Sequence, residues 1–269
     1  MDTLLIENIY KKVELNINNA IPSSDGFYTA NSYNDENINI TIKEYWYNNT
    51  SVYVADVTIS SSDYLKTVFA KSAYGKNVTD YTSNIAESVK TILAINGDYY
   101  GVQESGYVLK QSVVYRSTSQ TNQEDLVIYK DGTWDIINEN NVSINELINN
   151  GAYNVLSFGP ALIKDGNIAV STTTEVGKSM ASNPRSAIGK ISDNHYVFVV
   201  SDGRTTASTG LSLYELAEFM KSLSCNIAYN LDGGGSSSLV FNGNVINNPT
   251  TNGGKISERK VSDIVYIGY

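Results

Sequence analysis

Two short segments of the sequence combine acids, arginine and glycine in a way that could support chemistry. The segment "NLDGGGSSS" at 230–238 joins one aspartate to three glycines and three serines, and "SDGR" at 201–204 joins an aspartate to an arginine. Glycine loses more conformational freedom on folding than any other residue, so three in a row between apolar segments serve something other than packing. Bare backbone N–H groups and serine hydroxyls can bind the oxygens of an anion, and glycine lets that anion approach the backbone.

Four polar loops of this kind interrupt the ends of predicted strands or helices. They are "NGDYY" at 96–100, "NPRSAIG" at 183–189, "SDGR" and "NLDGGGSSS". Taken singly each is ordinary, because Asp-Gly is a common turn and a lone arginine is usually a surface charge. Together they supply carboxylates that can act as base, nucleophile or ion ligand, and guanidinium groups that can hold an anion through paired N–H donors. These are Asp98, Asp202, Asp232, Arg185 and Arg204. Ligand crevices commonly form where strands end, so we expect the four loops to share one pocket for a phosphorylated, hydroxyl-rich substrate.

The composition argues against several familiar kinds of site. His195 is the only histidine and Cys225 the only cysteine, which removes Ser-His-Asp and Cys-His catalysis and leaves too few ligands for zinc. The "DGGGS" segment lacks the lysine and the spacing of a phosphate-binding P-loop and leads into a predicted strand. What remains is carboxylate chemistry supported by arginine.

Net charge and hydropathy restrict the partners. A formal charge of −9 disfavours nucleic acids and anionic membranes, which reward clustered lysine and arginine. No apolar run is long enough to cross a bilayer, and Asp2 and Glu7 stand where a secretion signal would carry positive and then apolar residues. We expect a soluble chain without a signal peptide, and an extracellular, cell-surface or phage-associated location stays open beside a cytoplasmic one. The sequence does not indicate an oligomeric state.

The periodicity predicts an α+β fold, a single compact domain with mixed, largely antiparallel twisted sheets flanked by a few helices. Alternating segments at 38–47 and 51–59 predict a hairpin, and Asp-Gly or Asn-Gly pairs at 131, 165 and 242 predict three more. A helix is predicted to start near residue 82 and run into "ILAI" at 92–95. Capping boxes at Ser143/Glu146 and Ser212/Glu215 predict two further helices.

The combination of these segments resembles the phosphodiester glycosidase family, in its bacterial form. The matching segments run from about residue 40 to 269 and include "AINGDYYG", "SFGPALIKDG", "NPRSAIG", "VVSDGR", "AYNLDGGGSSSLVFNG" and "ERKVSDIVYIGY". The resemblance implies a catalytic domain at 38–269, with 1–37 as an N-terminal segment packing on it. It also implies functional positions on matching motifs, namely Asn96, Gly97, Asp98, Asn183, Pro184, Arg185, Asp202, Gly203, Arg204, Asn230, Asp232, Gly233, Gly234, Gly235, Ser236, Ser237, Glu258, Arg259 and Asp263.

The resemblance implies hydrolysis of a sugar-1-phosphodiester at the anomeric C–O bond, which releases a free, N-acetylglucosamine-like sugar and a phosphomonoester. Among these positions Asp232, Asp98, Asp202 and Arg185 are the catalytic candidates, with Asp232 favoured to activate water or attack the anomeric carbon. The candidates for substrate binding are Asn96, Gly97, Arg204, Asn230, Gly233, Gly234, Gly235, Ser236, Ser237, Glu258 and Arg259. We expect no obligatory cofactor, although Asp98 or Asp202 would suit calcium or magnesium if an ion is bound. Two alternatives stay open: a non-catalytic glycan-binding or phage-tail protein of the same fold, and a metal-dependent phosphodiesterase that cleaves P–O. The particular sugar and aglycone stay open too, as does the choice between inversion and retention at the anomeric carbon.

Overall fold

A computed structural model describes residues 26–174, 182–251 and 254–269, and its strands within these ranges form four sheets. The largest has nine strands, in the spatial order β1 (Phe27–Tyr28), β2 (Ser32–Asn34), β3 (Ile38–Tyr47), β4 (Thr50–Ile59), β15 (His195–Ser201), β14 (Arg185–Ser192), β16 (Ile227–Leu231), β12 (Ala161–Lys164) and β13 (Asn167–Ile168). The second has five, in the order β18 (Asn244–Val245), β17 (Leu239–Phe241), β6 (Leu93–Asn96), β19 (Asp263–Ile267) and β5 (Leu65–Phe69).

Two small sheets and three α-helices complete the described part of the chain. The sheets are β10 (Trp134–Asn138), β9 (Glu124–Tyr129) and β11 (Ala152–Leu156), and a pair formed by β7 (Val108–Lys110) and β8 (Val113–Arg116). The helices are α1 (Thr82–Ser88), α2 (Ile144–Asn149) and α3 (Leu213–Ser222). Both predicted capping boxes are confirmed, at the first residues of α2 and α3.

The two large sheets pack face to face between α1 and α3. Ile40 and Phe198 of the nine-stranded sheet share a buried cluster with Leu93 and Val265 of the five-stranded sheet. The outer face of the nine-stranded sheet packs on α3, and that of the five-stranded sheet packs on α1. These α–β–β–α layers confirm the predicted α+β class, because each apolar sheet face is covered by another layer.

Every strand pairing in the described ranges is antiparallel, which refines the expected mixed sheet. The strands β15 and β16, joined through α3, run parallel but are not neighbours. The strand β14 lies between β15 and β16 and pairs antiparallel with both. The helix crossover therefore skips one strand position.

The prediction that the first helix continues into "ILAI" was wrong. The helix α1 ends at Ser88, Lys90 has a φ of 52°, and the apolar residues that follow form β6. That strand is buried on both faces, between β17 and β19, so its continuous apolar run reflects a central strand rather than a helix. The predicted hairpins at 48–49, 131–132, 165–166 and 242–243 are all confirmed.

The prediction for residues 1–37 falls partly outside the described residues, which begin at 26. Within the described part, β1 and β2 add two strands to the edge of the nine-stranded sheet beside β3. The boundary between an N-terminal segment and a domain starting at residue 38 stays a prediction. None of the helices in the described ranges is long and apolar enough to cross a bilayer.

Candidate active site

Three of the four polar loops leave the nine-stranded sheet at the same edge. Arg185 begins β14 directly opposite Ser201, the last residue of β15, and Ser186 is opposite Leu231, the last residue of β16. The "SDGR" and "NLDGGGSSS" loops therefore start beside the first residue of β14. The antiparallel register, rather than a parallel crossover, brings these loops together.

The loops enclose a cavity of about 110 Å³, which we call the arginine cavity. Its lining residues are Phe158, Asn183, Arg185, Arg204, Asp232, Gly233, Gly234 and Arg259. The whole sequence contains four arginines, and three of them line this one cavity. Three guanidinium groups around a small polar space are suited to binding a phosphate or another oxyanion.

Asp232 is the carboxylate that faces the arginine cavity among its described lining residues. Arg259 Nη2 donates to both of its oxygens, at 2.9 and 2.8 Å, and Ser236 Oγ donates to Oδ2 at 2.7 Å. Arg259 Nε in turn donates to Ser236 Oγ at 2.9 Å, which closes a ring of three side chains. Burial raises the pKa of Asp232 above its ordinary value, while Arg259 and Ser236 act in the opposite direction.

Arg204 is held at the cavity wall by neutral partners. Its Nε donates to Asn183 Oδ1 at 3.0 Å and its Nη1 to the Thr250 carbonyl at 3.3 Å. Burial lowers the pKa of Arg204, and the nearby positive charge of Arg259 lowers it further. Two guanidinium groups close enough to repel each other favour an anion between them.

Arg185 is buried, and its backbone is fixed by the strand that it begins. Its N–H donates to Ser201 Oγ at 3.0 Å, and its Nε donates to the Leu211 carbonyl at 2.8 Å. These contacts orient the side chain toward the cavity that Asp232 also lines. The convergence of residues 185 and 232 is therefore present in the structure.

The three glycines after Asp232 have separate steric reasons. A Cβ on Gly233 would lie 2.9 Å from the Pro184 carbonyl oxygen, and one on Gly235 would lie 2.9 Å from Thr251 Cγ2. Gly234 has a φ of +65°, and a Cβ there would lie 3.0 Å from the guanidinium of Arg204. The glycines thus let the loop pack against the "NPR" backbone and the arginine that faces the cavity.

The amides Asn96 and Asn230 support this loop from beneath. Asn96 Nδ2 donates to the Asp232 carbonyl at 2.6 Å, and Asn96 Oδ1 accepts from Ser186 Oγ at 2.7 Å. Asn230 Nδ2 donates to the Gly159 carbonyl at 2.8 Å, next to Phe158 of the cavity wall. Both side chains are buried and lie outside the cavity lining. Asn96 ties β6 to β14 and to the loop after β16, and Asn230 ties β16 to the loop before β12.

Asp98 lies below the site, in a buried charged cluster with Asp263 and Lys110. Lys110 Nζ is 2.7 Å from Asp263 Oδ2, and both side chains are almost fully buried. Burial and the charge of Asp98 raise the pKa of Asp263, against the effect of Lys110. A Cβ on Gly97 would lie 2.2 Å from Asp263 Oδ1, so glycine is required where this cluster meets the "NGD" loop.

Asp202 anchors a neighbouring loop and does not line the arginine cavity. Its Oδ1 accepts from the Asn248 backbone N–H at 2.8 Å, and its Oδ2 accepts from Asn248 Nδ2 at 2.8 Å. Asn247 Nδ2 also reaches Oδ1, at 3.3 Å. This carboxylate therefore fixes the "NNPT" segment, which leads to the Thr250 carbonyl that binds Arg204.

The other predicted binding residues divide between the cavity and its support. Glu258 accepts from the backbone N–H of Ser83 near the start of α1, at 3.2 Å, and so points away from the arginine cavity. Ser237 is buried, and its carbonyl accepts from Asn247 Nδ2 at 2.9 Å. Direct contact of these two residues with substrate stays a prediction.

The surroundings of Asp98 and Asp202 do not favour a divalent cation. Asp98 accepts from the backbone N–H groups of Tyr100 and Ser157, and the amides of residues 247 and 248 surround Asp202. Calcium and magnesium need several acceptor oxygens, whereas these carboxylates face N–H donors. No cluster of three or more acidic, histidine or cysteine ligands occurs within the described ranges. An ion at Asp98 or Asp202 stays a prediction.

The sequence interpretation missed three features of the site and its support. Phe158 lines the arginine cavity, yet only its position in the quoted "SFGP" segment pointed toward it. The ion pair of Arg259 with Asp232 joins residues 27 apart through a loop whose shape no local pattern predicts. Lys110, the partner of Asp263, carried no signal because it looks like an ordinary strand residue.

A further buried acid, Asp125, lies near Asp98 and makes the stability of the protein depend on pH. Burial raises the pKa of Asp125 well above its ordinary value, and the neighbouring Glu139, and then Asp98, raise it further. The folded protein thus keeps a proton that the unfolded chain releases near pH 4. The contribution of Asp125 to stability is complete below the pKa that this residue has in the unfolded chain. It is lost as the pH rises through the higher pKa that Asp125 has in the folded protein.

We expect Asp125→Asn to weaken this pH dependence, because asparagine carries no titratable proton. From pH 4 upward its free energy of unfolding should fall less steeply than that of the native protein. Urea unfolding at a series of pH values measures the difference, with exposed Asp135→Asn on the neighbouring strand as control. Parallel pH curves for Asp125→Asn and the native protein would contradict the assignment.

Comparison with known proteins agrees with this arrangement. The family model for phosphodiester glycosidases matches residues 89–268, which include the four loops and all the cavity-lining residues. The chain belongs to the phosphodiester glycosidase family. The family is named for an enzymatic activity, so the chain is a member of an enzyme family.

Two relatives show how far the similarity extends. The SPbeta prophage-derived uncharacterized protein YomE of Bacillus subtilis is 31% identical over 215 residues, which are 77% of this chain and 32% of that protein. Mouse N-acetylglucosamine-1-phosphodiester α-N-acetylglucosaminidase is 28% identical over 175 residues, 59% of this chain and 33% of that protein. The chain thus spans about a third of the length of these curated relatives.

The fold itself matches a solved structure. The catalytic domain of the zebrafish N-acetylglucosamine-1-phosphodiester α-N-acetylglucosaminidase, auto-inhibited by its pro-peptide, superposes with a TM-score of 0.68 at 21% identity. The match covers 86% of this chain and 83% of that one. At this identity the likeness establishes the shared architecture.

Proposed function

We propose that the protein hydrolyses sugar-1-phosphodiesters at the anomeric C–O bond and releases a free sugar and a phosphomonoester. The observation that carries the proposal is the arginine cavity, in which Arg185, Arg204 and Arg259 surround one carboxylate, Asp232. Family membership and the substrate named for the mouse relative support the same class of bond.

In this proposal the arginines bind the phosphodiester and stabilise the charge that grows on the departing phosphate. A phosphate monoester leaves readily, so the reaction depends less on a general acid than ordinary glycoside hydrolysis does. Arg204 is suited to this role because its side-chain partners in the described residues are a neutral amide and a carbonyl. Its positive charge is then available to the leaving group.

Asp232 is proposed to act on the water that attacks the anomeric carbon. The water oxygen forms the new bond to carbon, its proton moves to the Asp232 carboxylate, and the electron pair of the breaking C–O bond goes to the phosphate oxygen. Arg259 Nη2, which donates to both carboxylate oxygens, and Ser236 Oγ hold the carboxylate in one orientation. In this proposal it acts as a base.

The remaining acids are proposed to position rather than react. Asp98 and Asp263 support the "NGD" loop, whose Gly97 carbonyl accepts from the Asp232 backbone N–H at 3.3 Å. Asp202 fixes the segment that presents Thr250 to Arg204. Substitutions of these three acids would therefore act indirectly, by moving Asp232 or Arg204, which face the cavity.

Hydrolysis in oxygen-18 water tests which bond breaks. The proposal expects a nucleotide sugar or a methyl phosphodiester of N-acetylglucosamine-1-phosphate to give sugar that carries the label, with unlabelled phosphate. Mass spectrometry of both products reads the result. Label in the phosphate would instead assign P–O cleavage, and absence of turnover on all such substrates would leave a glycan-binding role.

A further inference from the structure

A second and larger cavity lies beside the loop that follows Asp98. Its volume is about 340 Å³, against about 110 Å³ for the arginine cavity, and we call it the tyrosine cavity. Its lining includes Tyr74, Tyr100, Tyr115 and Arg116, with Gln103 and Ser117 among its polar members. A volume of a few hundred Å³ falls in the range of small-molecule sites.

The apolar part of this cavity is a cluster of packed aromatic rings. The rings of Tyr74 and Tyr100 are nearly parallel, with centroids 5.4 Å apart and an interplanar angle of 14°. Tyr115 packs on Tyr74 with centroids 5.2 Å apart, and Phe69 packs on all three rings. Tyr100 and Tyr115 are buried while Tyr74 is partly exposed, so Tyr74 is the ring that a ligand can reach.

The polar part of the cavity is held by hydrogen bonds and by an ion pair. Arg116 donates through Nη1 to the carbonyls of Tyr100 and Gln103, at 3.0 and 2.6 Å, which fixes one wall. Lys76 and Glu104 form an ion pair at the rim, so neither leaves an unbalanced charge for a charged ligand. The remaining polar groups around the aromatic base are hydroxyls, amides and the Arg116 guanidinium, whose hydrogen-bond acceptors are backbone carbonyls.

One buried carboxylate connects this cavity with the arginine cavity. Asp98 Oδ1 accepts from the Tyr100 backbone N–H at 3.0 Å, and Asp98 Oδ2 accepts from the Ser157 N–H at 3.1 Å. Tyr100 lines the tyrosine cavity, and Phe158, the residue after Ser157, lines the arginine cavity. The walls of the two cavities are thus held by the same side chain.

We infer that the tyrosine cavity binds a neutral sugar ring, a second ring of the glycan whose phosphodiester occupies the arginine cavity. A pyranose has apolar C–H faces and a polar edge of hydroxyls, which matches an aromatic base surrounded by hydrogen-bonding groups. The joint use of both cavities rests on the proposed function, whereas sugar binding by itself does not. The substrate class is then a glycan with more than one sugar, linked through a phosphodiester.

Isothermal titration of the full chain with the phosphate-free disaccharide of N-acetylglucosamine tests this inference. The native protein should bind it, and Tyr74→Ala should raise the Kd about fivefold or more by removing the exposed ring. Tyr74→Phe keeps the ring and should bind nearly as well as the native protein. Tyr81→Ala removes a partly exposed tyrosine elsewhere, beside Lys260, and should leave the Kd unchanged.

A blocking variant keeps the test decisive if Tyr74→Ala does not fold. Ser117→Trp places a bulky side chain in the cavity lining without altering the aromatic cluster, and it should abolish disaccharide binding. The inference is overturned if the native protein does not bind the disaccharide, or if Ser117→Trp binds it as the native protein does. Binding of uridine in place of the disaccharide would assign the cavity to a base and would also overturn it.

The failure of this inference can be told apart from failure of the proposed function. Arg204→Met should leave binding of the neutral disaccharide unchanged, because Arg204 lines the other cavity. Disaccharide binding without any hydrolysis would therefore support the sugar site and refute the enzyme. Hydrolysis of small phosphodiesters without disaccharide binding would refute the sugar site alone.

Discussion

Replacing Asp232 with asparagine is expected to lower the rate of sugar release by on the order of a thousandfold, because an amide cannot take a proton from water. The substitution keeps the size of the side chain and one oxygen that can accept from Arg259, so the loop should keep its conformation. The KM should change much less than kcat, since the arginines that bind the phosphodiester are all retained. Reducing-sugar release from a nucleotide sugar gives both constants.

The matched control is Asp165→Asn. Asp165 also lies in an Asp-Gly turn, is exposed, and adopts a φ of +48°, which asparagine tolerates. The activity of Asp165→Asn should equal that of the native protein. The kcat/KM of the native protein should fall as the pH drops below the pKa of Asp232, which burial raises above the ordinary aspartate value. If Asp232→Asn keeps even a tenth of the native kcat, Asp232 is not the base.

The convergence of the loops could be predicted because each one starts where an apolar strand ends. Strand ends gather at the edges of a sheet, so Arg185, Arg204 and Asp232 were expected near one another, and all three line one cavity. The glycines gave the same signal, since Gly234 combines a positive φ with close packing against Arg204. Local patterns were therefore informative wherever backbone geometry restricts the residue type.

The division of work among the acids could not be read from the sequence. Asp98, Asp202 and Asp232 all follow apolar strands and precede or adjoin glycine or tyrosine, so their patterns are alike. Their environments differ because of donors distant in the chain, such as Asn248 for Asp202 and Ser157 for Asp98. Only the tertiary fold decides which carboxylate faces a cavity and which one holds a loop.

The same reasoning explains the error at β6. The apolar run that ends at Asn96 fits both a helix and a buried strand, and local periodicity cannot separate them. Long-range pairing with β17 and β19 decides in favour of the strand. This strand then carries Asn96 to the Asp232 carbonyl, so the fold and the site depend on the same non-local contact.

Replacing Arg204 with methionine is expected to lower kcat by on the order of a hundredfold, because it removes a positively charged donor from the departing phosphate. Methionine keeps much of the length of the side chain, so packing against Gly234 is largely retained. Arg204→Lys keeps the charge but not the planar pair of donors. Its rate should therefore lie between that of the native protein and that of Arg204→Met. Steady-state kinetics with inorganic phosphate as an inhibitor measures both catalysis and anion binding.

The control removes the same charge elsewhere, in Lys221→Met at the exposed end of α3. It should leave kcat and phosphate inhibition unchanged, whereas Arg204→Met should weaken phosphate inhibition about tenfold or more. An equal loss in both variants would indicate that net charge, and not the cavity, governs anion binding. Loss of kcat with unchanged phosphate inhibition would instead place Arg204 on the sugar rather than on the leaving group, because two arginines would then suffice to hold the anion.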